Sequence, residues 1–413
     1  MSTIKVEFRD YQKDIIKQGT EMLEQNRFLY LAMEVRTGKT LTAFGICQEF
    51  ELYNVLFVTK KKAISSIQKD YNLLKPRFKI TVINYESLHL VKDNECWDVV
   101  ILDEAHCLGA FAKPSARAKL VKEVIAKNNP LVILMSGTPT PEGYSQMYHQ
   151  VYGIPNNPFK DCANFYKFAA KYVDVKERMI GAMRIKDYSH GRESIIDAMR
   201  PYTINYTQKE AGFASTITEN FLTVKMKDST YAMIKRLTKD LVIEGKEETI
   251  LADTAVKLMS KVHQMYSGTV KFESGNSMVI DDGKAVFIKI YFSDKKIGIF
   301  YKFKEELKAL QSVFGEALTE DIEEFNNTDK NIALQIVSGR EGISLKAADC
   351  LVYYNIDFSA TSYWQSRDRM TTKDRPENTV YWVFAEGGIE QKIYKMVSKK
   401  KNFTVNHFKK LLL

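Results

Sequence analysis

The sequence predicts an α/β protein made of two tandem parallel sheets, each covered by helices. Two observations carry this. Between about residues 25 and 140, short apolar runs alternate with amphipathic stretches, and the same alternation returns between 297 and 384. A chain that switches between strand and helix text in this way packs as strand–helix–strand units with helices on both faces of a parallel sheet. The 413 residues, 45% of them hydrophobic, suffice for two to three domains with sizeable cores. There are no internal repeats and no low-complexity linker.

In chain order, Phe28-Leu29-Tyr30-Leu31-Ala32 reads as a strand, and a helix should run from the following loop to about Phe50. Residues 55–59 read as a strand and 63–71 as a helix. Further short apolar strands fall at 80–84, 99–102 and 131–135. Residues 142–215 break the rhythm: rich in Tyr, Phe, Lys and Arg and punctuated by Pro155, Pro158 and Pro201, they are expected to be helical elaborations of a first domain spanning 1–215. In 165–173, aromatics interleave with Lys167 and Lys171, a pattern that suits base stacking and phosphate contact as well as an ordinary amphipathic helix. The alternating stretch Glu219-Asn220-Phe221-Leu222-Thr223-Val224 reads as the entering strand of a second domain, 216–413. Helices are expected at 229–243 and 250–266, and a small hairpin or bulge at 270–283. Strands follow at 297–301, 332–337, 350–354 and 379–384, with a helix at 303–313. The tail from Gln391 holds seven Lys and no acid, and is expected to begin as a basic-faced helix packed by Ile393, Met396 and Val397.

Composition narrows the class. The formal charge is +9, a mild excess of the kind a polyanion-binding surface needs. Five Cys form no C-x-x-C pair, which argues against a disulfide framework or zinc site. The N-terminus lacks a signal-peptide apolar core, and no apolar run approaches the roughly 20 residues of a membrane span. The expectation is a soluble, cytoplasmic protein.

Two motifs carry chemistry. Met33-Glu34-Val35-Arg36-Thr37-Gly38-Lys39-Thr40 follows the first strand and opens a helix. In such a loop, backbone N–H groups cradle phosphates, Lys39 reaches the β/γ-phosphates and Thr40 binds Mg²⁺. Asp103-Glu104-Ala105-His106 ends another apolar strand. Asp103 would hold Mg²⁺ and Glu104 would orient and deprotonate a water. In this order on strand–helix text, the two motifs point to a nucleoside triphosphatase.

Further segments extend the series. Arg9-Asp10-Tyr11-Gln12 precedes the phosphate loop, and Phe57-Val58-Thr59-Lys60-Lys61 and Asn84-Tyr85-Glu86-Ser87-Leu88 follow it. Ser136-Gly137-Thr138-Pro139 comes after the acidic box. Gly298 to Phe303, Ser338-Gly339-Arg340-Glu341-Gly342-Ile343-Ser344-Leu345 and Gln365-Ser366-Arg367-Asp368-Arg369 lie in the second half. The ordered set, spread over roughly residues 5–395, resembles superfamily 2 helicases, within them the Snf2-like group, and in its short form phage-encoded members.

This resemblance implies two RecA-like domains with an ATP cleft between them, ATP and Mg²⁺ as cofactors, and DNA (duplex, single-stranded or branched) as partner. It implies nucleotide contacts from Gln12, which would read adenine, and from Arg36, Thr37, Gly38, Lys39, Thr40 and Gly342. Gln365 and Arg369 would join Lys39, Asp103 and Glu104 in hydrolysis, with Arg369 as arginine finger and Arg367 or Arg375 as substitutes, since Thr372 stands where the family has its second arginine. Ser136 and Thr138 would couple nucleotide state to strand binding. Thr59, Lys60, Lys61, Asn84 and Tyr85 from the first domain, and Lys302, Ser338 and Gly339 from the second, would contact the nucleic-acid backbone. Three readings remain: a DNA translocase or helicase, an RNA helicase, and a nucleic-acid scaffold with a degenerate site.

Overall fold

The computed structural model describes residues 7–50, 52–91, 95–180, 183–212, 216–245, 247–336, 345–367 and 377–399. The chain divides into two compact units, Met1–Gly212 and Phe213–Leu413.

The first unit opens with α1 (Asp10–Asn26), whose apolar residues Ile15, Ile16 and Leu23 are buried. Then come β1 (Phe28–Met33), α2 (Lys39–Gln48), β2 (Asn54–Thr59), α3 (Ile64–Leu74), β3 (Lys79–Asn84), β4 (Val99–Leu102), α4 (Ala116–Asn128) and β5 (Leu131–Met135). Strand pairing gives a six-stranded sheet in the order β3-β2-β4-β5-β1-β8, with β8 at Thr203–Tyr206. Every pairing in it is parallel. Successive residues along each strand enter opposite cores. Phe28, Tyr30, Val100, Leu102, Val132 and Leu134 face one cluster. Leu29, Leu31, Val99, Ile101, Ile133 and Met135 face the other. Both faces of the sheet are therefore dry, which is why these strands read as continuous apolar runs.

Residues 142–215 differ from the helical expectation. Short helices α5 (Met147–Gln150), α6 (Phe165–Tyr172) and α7 (Ser194–Met199) are present, but so is an antiparallel hairpin, β6 (Lys176–Ile180) with β7 (Met183–Asp187). The chain then returns as β8, the edge strand beside β1. Thr-Ile-Asn-Tyr is too short to show a period, and its register is set by the main-chain edge of β1.

The second unit begins with β9 (Thr216–Val224), α8 (Asp228–Asp240), the hairpin β10 (Val242–Glu244) and β11 (Thr249–Leu251), and α9 (Ala255–Tyr266). The expected helix over 250–266 thus starts later, where the Thr254 side chain accepts from Lys257 N and caps it. The expected hairpin near 270–283 is β12 (Thr269–Lys271) with β13 (Ser277–Val279). After α10 (Gly283–Tyr291) come β14 (Ile297–Tyr301), α11 (Lys304–Phe314), β15 (Leu318–Thr319), α12 (Ile322–Asn327), β16 (Asn331–Gln335), β17 (Cys350–Tyr353), α13 (Ala360–Arg367), β18 (Glu377–Ala385) and α14 (Glu390–Val397). Their six-stranded sheet, β15-β16-β14-β17-β18-β9, is again wholly parallel. The α/β class with two parallel, helix-flanked sheets is the one expected. Among the described residues, no helix is long and apolar enough to cross a membrane.

Candidate nucleotide site

All six strands of the first sheet deliver a loop at their carboxyl ends, where ligands of open parallel sheets bind. The loop after β1 is shaped by two left-handed residues, Arg36 (φ 65°) and Gly38 (φ 79°). Arg36 thus holds a left-handed conformation that glycine adopts more readily than a residue with a Cβ. Thr37 Oγ1 donates to Glu34 O at 2.7 Å, and Lys39 Nζ donates to the same carbonyl at 3.2 Å. Helix α2 starts at Lys39, so its unpaired amides and positive end face the loop.

Neighbouring segments hold this loop. Gln12 is buried, its Oε1 accepting from Arg9 N at 3.1 Å and its Nε2 donating to Gly38 O and Thr42 Oγ1 at 3.3 Å each. Tyr11 donates to Thr37 O at 3.0 Å and stacks on Tyr206 with ring centroids 4.7 Å apart. Gln208, just past β8, donates from its backbone N to Glu34 Oε2 at 2.7 Å and from Nε2 to Val35 O at 2.9 Å. The sequence offered no local signal for Tyr206 or Gln208, because both reach the loop only through the edge pairing of β8.

The acidic box lies two strands away from the phosphate loop, with β5 between. Asp103 is anchored three ways: its N donates to Val58 O at 2.8 Å, its carbonyl accepts from Tyr85 OH at 2.6 Å, and its Oδ2 accepts from Thr59 Oγ1 at 2.7 Å. Burial first, then the neighbouring Glu104 carboxylate, pushes the Asp103 carboxyl up to about 6, against the Thr59 hydroxyl and the Lys39 ammonium, which pull it down. Lys39 is therefore close enough to act on Asp103 electrostatically. Glu104 itself sits at φ 51°, a left-handed conformation that costs a non-glycine residue about 1–3 kcal/mol and is concentrated at functional sites. His106 Nδ1 lies 3.2 Å from Glu104 Oε2 and 2.9 Å from Ser136 Oγ, which also accepts from Thr138 N at 3.1 Å. Gly137 completes the contact: a Cβ there would lie 3.6 Å from Lys39 Nζ.

These groups suit Mg²⁺ with a nucleotide. A buried carboxylate in reach of an ammonium, a Thr hydroxyl at the first turn of α2 (Thr40) and a helix N-terminus form the hard-oxygen and anion-binding set that such a pair needs.

Several expected residues lie elsewhere. Thr59 and Tyr85 are buried, and their hydroxyls support Asp103, so they do not present side chains to nucleic acid. Lys302 pairs with Asp357 at 2.5 Å and sits 4.2 Å over the Phe358 ring, so its ammonium is already engaged within the second unit. Burial raises the Asp357 carboxyl most, but the Lys302 charge together with hydrogen bonds from Lys302, Ser362 and Phe358 N outweighs it and holds the group low. Asn84 accepts from Ser87 N at 2.7 Å and caps the following turn, while Lys61 is exposed and Lys60 partly so. Arg367, a substitute finger, donates to Glu219 at 2.9 Å and packs 4.3 Å from the Trp364 ring, so its guanidinium is already engaged within the second unit. Gln365 lies on α13. Ser338, Gly339, Gly342, Arg369, Thr372 and Arg375 lie outside the described residues.

The family described as "Type III restriction enzyme, res subunit" matches residues 5–77, which span α1, the phosphate loop and β2. No curated protein matches the chain. Among solved structures, the chain is similar to the "Sulfolobus solfataricus SWI2/SNF2 ATPase core in complex with dsDNA", at 16% identity over 96% of this chain and 92% of that one, with a TM-score of 0.44. It is similar also to the "Sulfolobus solfataricus SWI2/SNF2 ATPase core domain", at 17% identity over 96% and 89%, with the same TM-score.

Proposed function

We propose that the chain hydrolyses ATP with Mg²⁺ and uses the energy to translocate on or unwind DNA, in the manner of Snf2-like superfamily 2 enzymes. The observation that carries the reading is the convergence of the Lys39 ammonium, the buried Asp103 carboxylate and the strained Glu104 at neighbouring carboxyl ends of one parallel sheet. The family match over residues 5–77 supports it, because that segment holds the phosphate loop.

Lys39 and the α2 N-terminus would bind the β/γ-phosphates, and Asp103 with Thr40 would hold Mg²⁺. When bound, the ion neutralises charge on the phosphate oxygens. Glu104 would orient the attacking water and accept its proton, with His106 fixing its carboxylate. Such catalysis rests on positioning and charge stabilisation more than on covalent chemistry. The His106–Ser136–Thr138 chain would report nucleotide state, because it joins the acidic box to the loop after β5. Lys60, Lys61 and Asn84 stay as first-unit DNA contacts, and Ser338, Gly339, Gly342, Gln365 and Arg369 as the second unit's contribution. Backbone contacts of this kind give weak sequence preference and steep salt dependence. Two alternatives share this site: an RNA helicase, and a duplex translocase that displaces bound proteins without separating strands.

The test is steady-state ATPase activity with no nucleic acid, single strand, blunt duplex, fork, four-way junction and one RNA. Stimulation by DNA is expected, with Lys39→Ala abolishing turnover while binding DNA as tightly as the wild type. Retained turnover in Lys39→Ala overturns the site, and stimulation by RNA alone overturns the DNA assignment.

A further inference from the structure

The hydrogen bond from Thr59 to Asp103 crosses 44 residues and links the ends of two adjacent strands. Thr59 is fully buried, and its side chain meets the one carboxylate that the proposed reaction needs for Mg²⁺. Tyr85, also buried, holds the main chain of the same residue through its carbonyl. Asp103 is thus gripped at its amide by β2, at its carboxylate by the last residue of β2, and at its carbonyl by the residue after β3. A structural hydroxyl needs only some acceptor, and the carbonyl four residues back or a neighbouring turn commonly serves. Here both hydroxyls converge on one acidic residue, one from the last residue of β2 and one from the residue after β3.

We infer that Thr59 and Tyr85 are positioning residues for the metal carboxylate: Thr59 fixes the plane of the Asp103 side chain and Tyr85 fixes the backbone that carries it. Outer partners of this kind commonly change metal affinity by roughly 10–100-fold when removed. The inference rests on the proposed function, since it takes Asp103 as a Mg²⁺ ligand. Thr59→Val is nearly isosteric and removes only the hydroxyl; Thr59→Ser keeps it; Tyr85→Phe keeps the buried ring.

The experiment measures binding of a fluorescent, non-hydrolysable ATP analogue to the full chain, in EDTA and across a Mg²⁺ titration, with circular dichroism to check folding. For Thr59→Val, the Mg²⁺ concentration giving half of the Mg²⁺-dependent tightening should rise on the order of 10-fold, and Thr59→Ser should restore it. Tyr85→Phe should shift the same midpoint in the same direction and provides the reading should Thr59→Val fail to fold. A wild-type midpoint in a folded Thr59→Val or Tyr85→Phe overturns the inference, as does a Thr59→Ser variant as impaired as Thr59→Val. A wild-type chain that binds no nucleotide, or binds it without regard to Mg²⁺, instead overturns the proposed function.

Discussion

Replacing Gly38 by Ala tests how the phosphate loop is held. Gly38 has φ 79°, where a Cβ costs about 1 kcal/mol or somewhat more. That Cβ would lie 2.6 Å from Gln12 Nε2, so the amide must move. In moving, it gives up bonds to Gly38 O and Thr42 Oγ1 and strains the one to Arg9 N. At about 1 kcal/mol per net hydrogen bond, Gly38→Ala should destabilise the first unit by about 2–4 kcal/mol. For a domain of this size that corresponds to a fall in Tm of roughly 5–15 °C. The chain has three Trp, of which only Trp97 belongs to the first unit, so a 5-fluorotryptophan ¹⁹F resonance follows that unit alone. Gln12→Ala removes the obstructing amide. In that background Gly38→Ala should cost only the backbone strain, giving a coupling of about 1–2 kcal/mol in the double-mutant cycle. Costs that add to within about 0.5 kcal/mol would refute the reasoning, since they mean that the methyl group and the amide do not compete for the same space.

Two further predictions concern the second unit. Glu219 on β9 accepts from Tyr363, Arg367, Trp382 and Tyr394, tying α13, β18 and α14 to the sheet edge. Glu219→Leu takes its carboxylate from a largely buried guanidinium and should cost about 3–5 kcal/mol in denaturant unfolding followed at the 5-fluorotryptophan resonances of Trp364 and Trp382, whereas Glu219→Gln should cost less; a Glu219→Leu variant as stable as the wild type removes Glu219 from this role. His263 Nε2 donates to Asn355 Oδ1 at 2.6 Å, and burial, then the Lys302 charge, holds the imidazole well below its ordinary value of 6.5. A depressed folded pKa contributes stability that is full above about 6.5 and is lost as pH falls below it, by up to about 1.4 kcal/mol per unit. The nearby Glu306, raised by burial, acts in the opposite sense. The difference in unfolding free energy between wild type and His263→Gln should therefore shrink from pH 7 to 5, and a constant difference would show that His263 titrates in the folded chain as it does in the unfolded one.

Much of the fold was legible because its signals are local. The apolar runs over β1, β4 and β5 announce strands buried on both faces, and Gly38-Lys39-Thr40 announces a left-handed turn into a helix. The acidic box was legible for the same reason, as a short polar group stopping an apolar strand. What escaped depends on which segments meet. Strand β8 became visible only as an edge on β1, and with it the contributions of Tyr206 and Gln208 to the phosphate loop. The resemblance implied that Thr59 and Tyr85 contact nucleic acid, yet pairing β2 against both β3 and β4 turns their hydroxyls onto Asp103. The resemblance gave Lys302 as a nucleic-acid contact and Arg367 as a substitute finger, and only the folded chain supplied their partners Asp357 and Glu219. Sequence by itself determined the alternation of strand and helix and the phosphate and acidic motifs, since backbone preference and burial period act over a few residues. Only tertiary structure decided which hydroxyls and charges are already engaged, because those partners are brought together by sheet order across tens to more than a hundred residues.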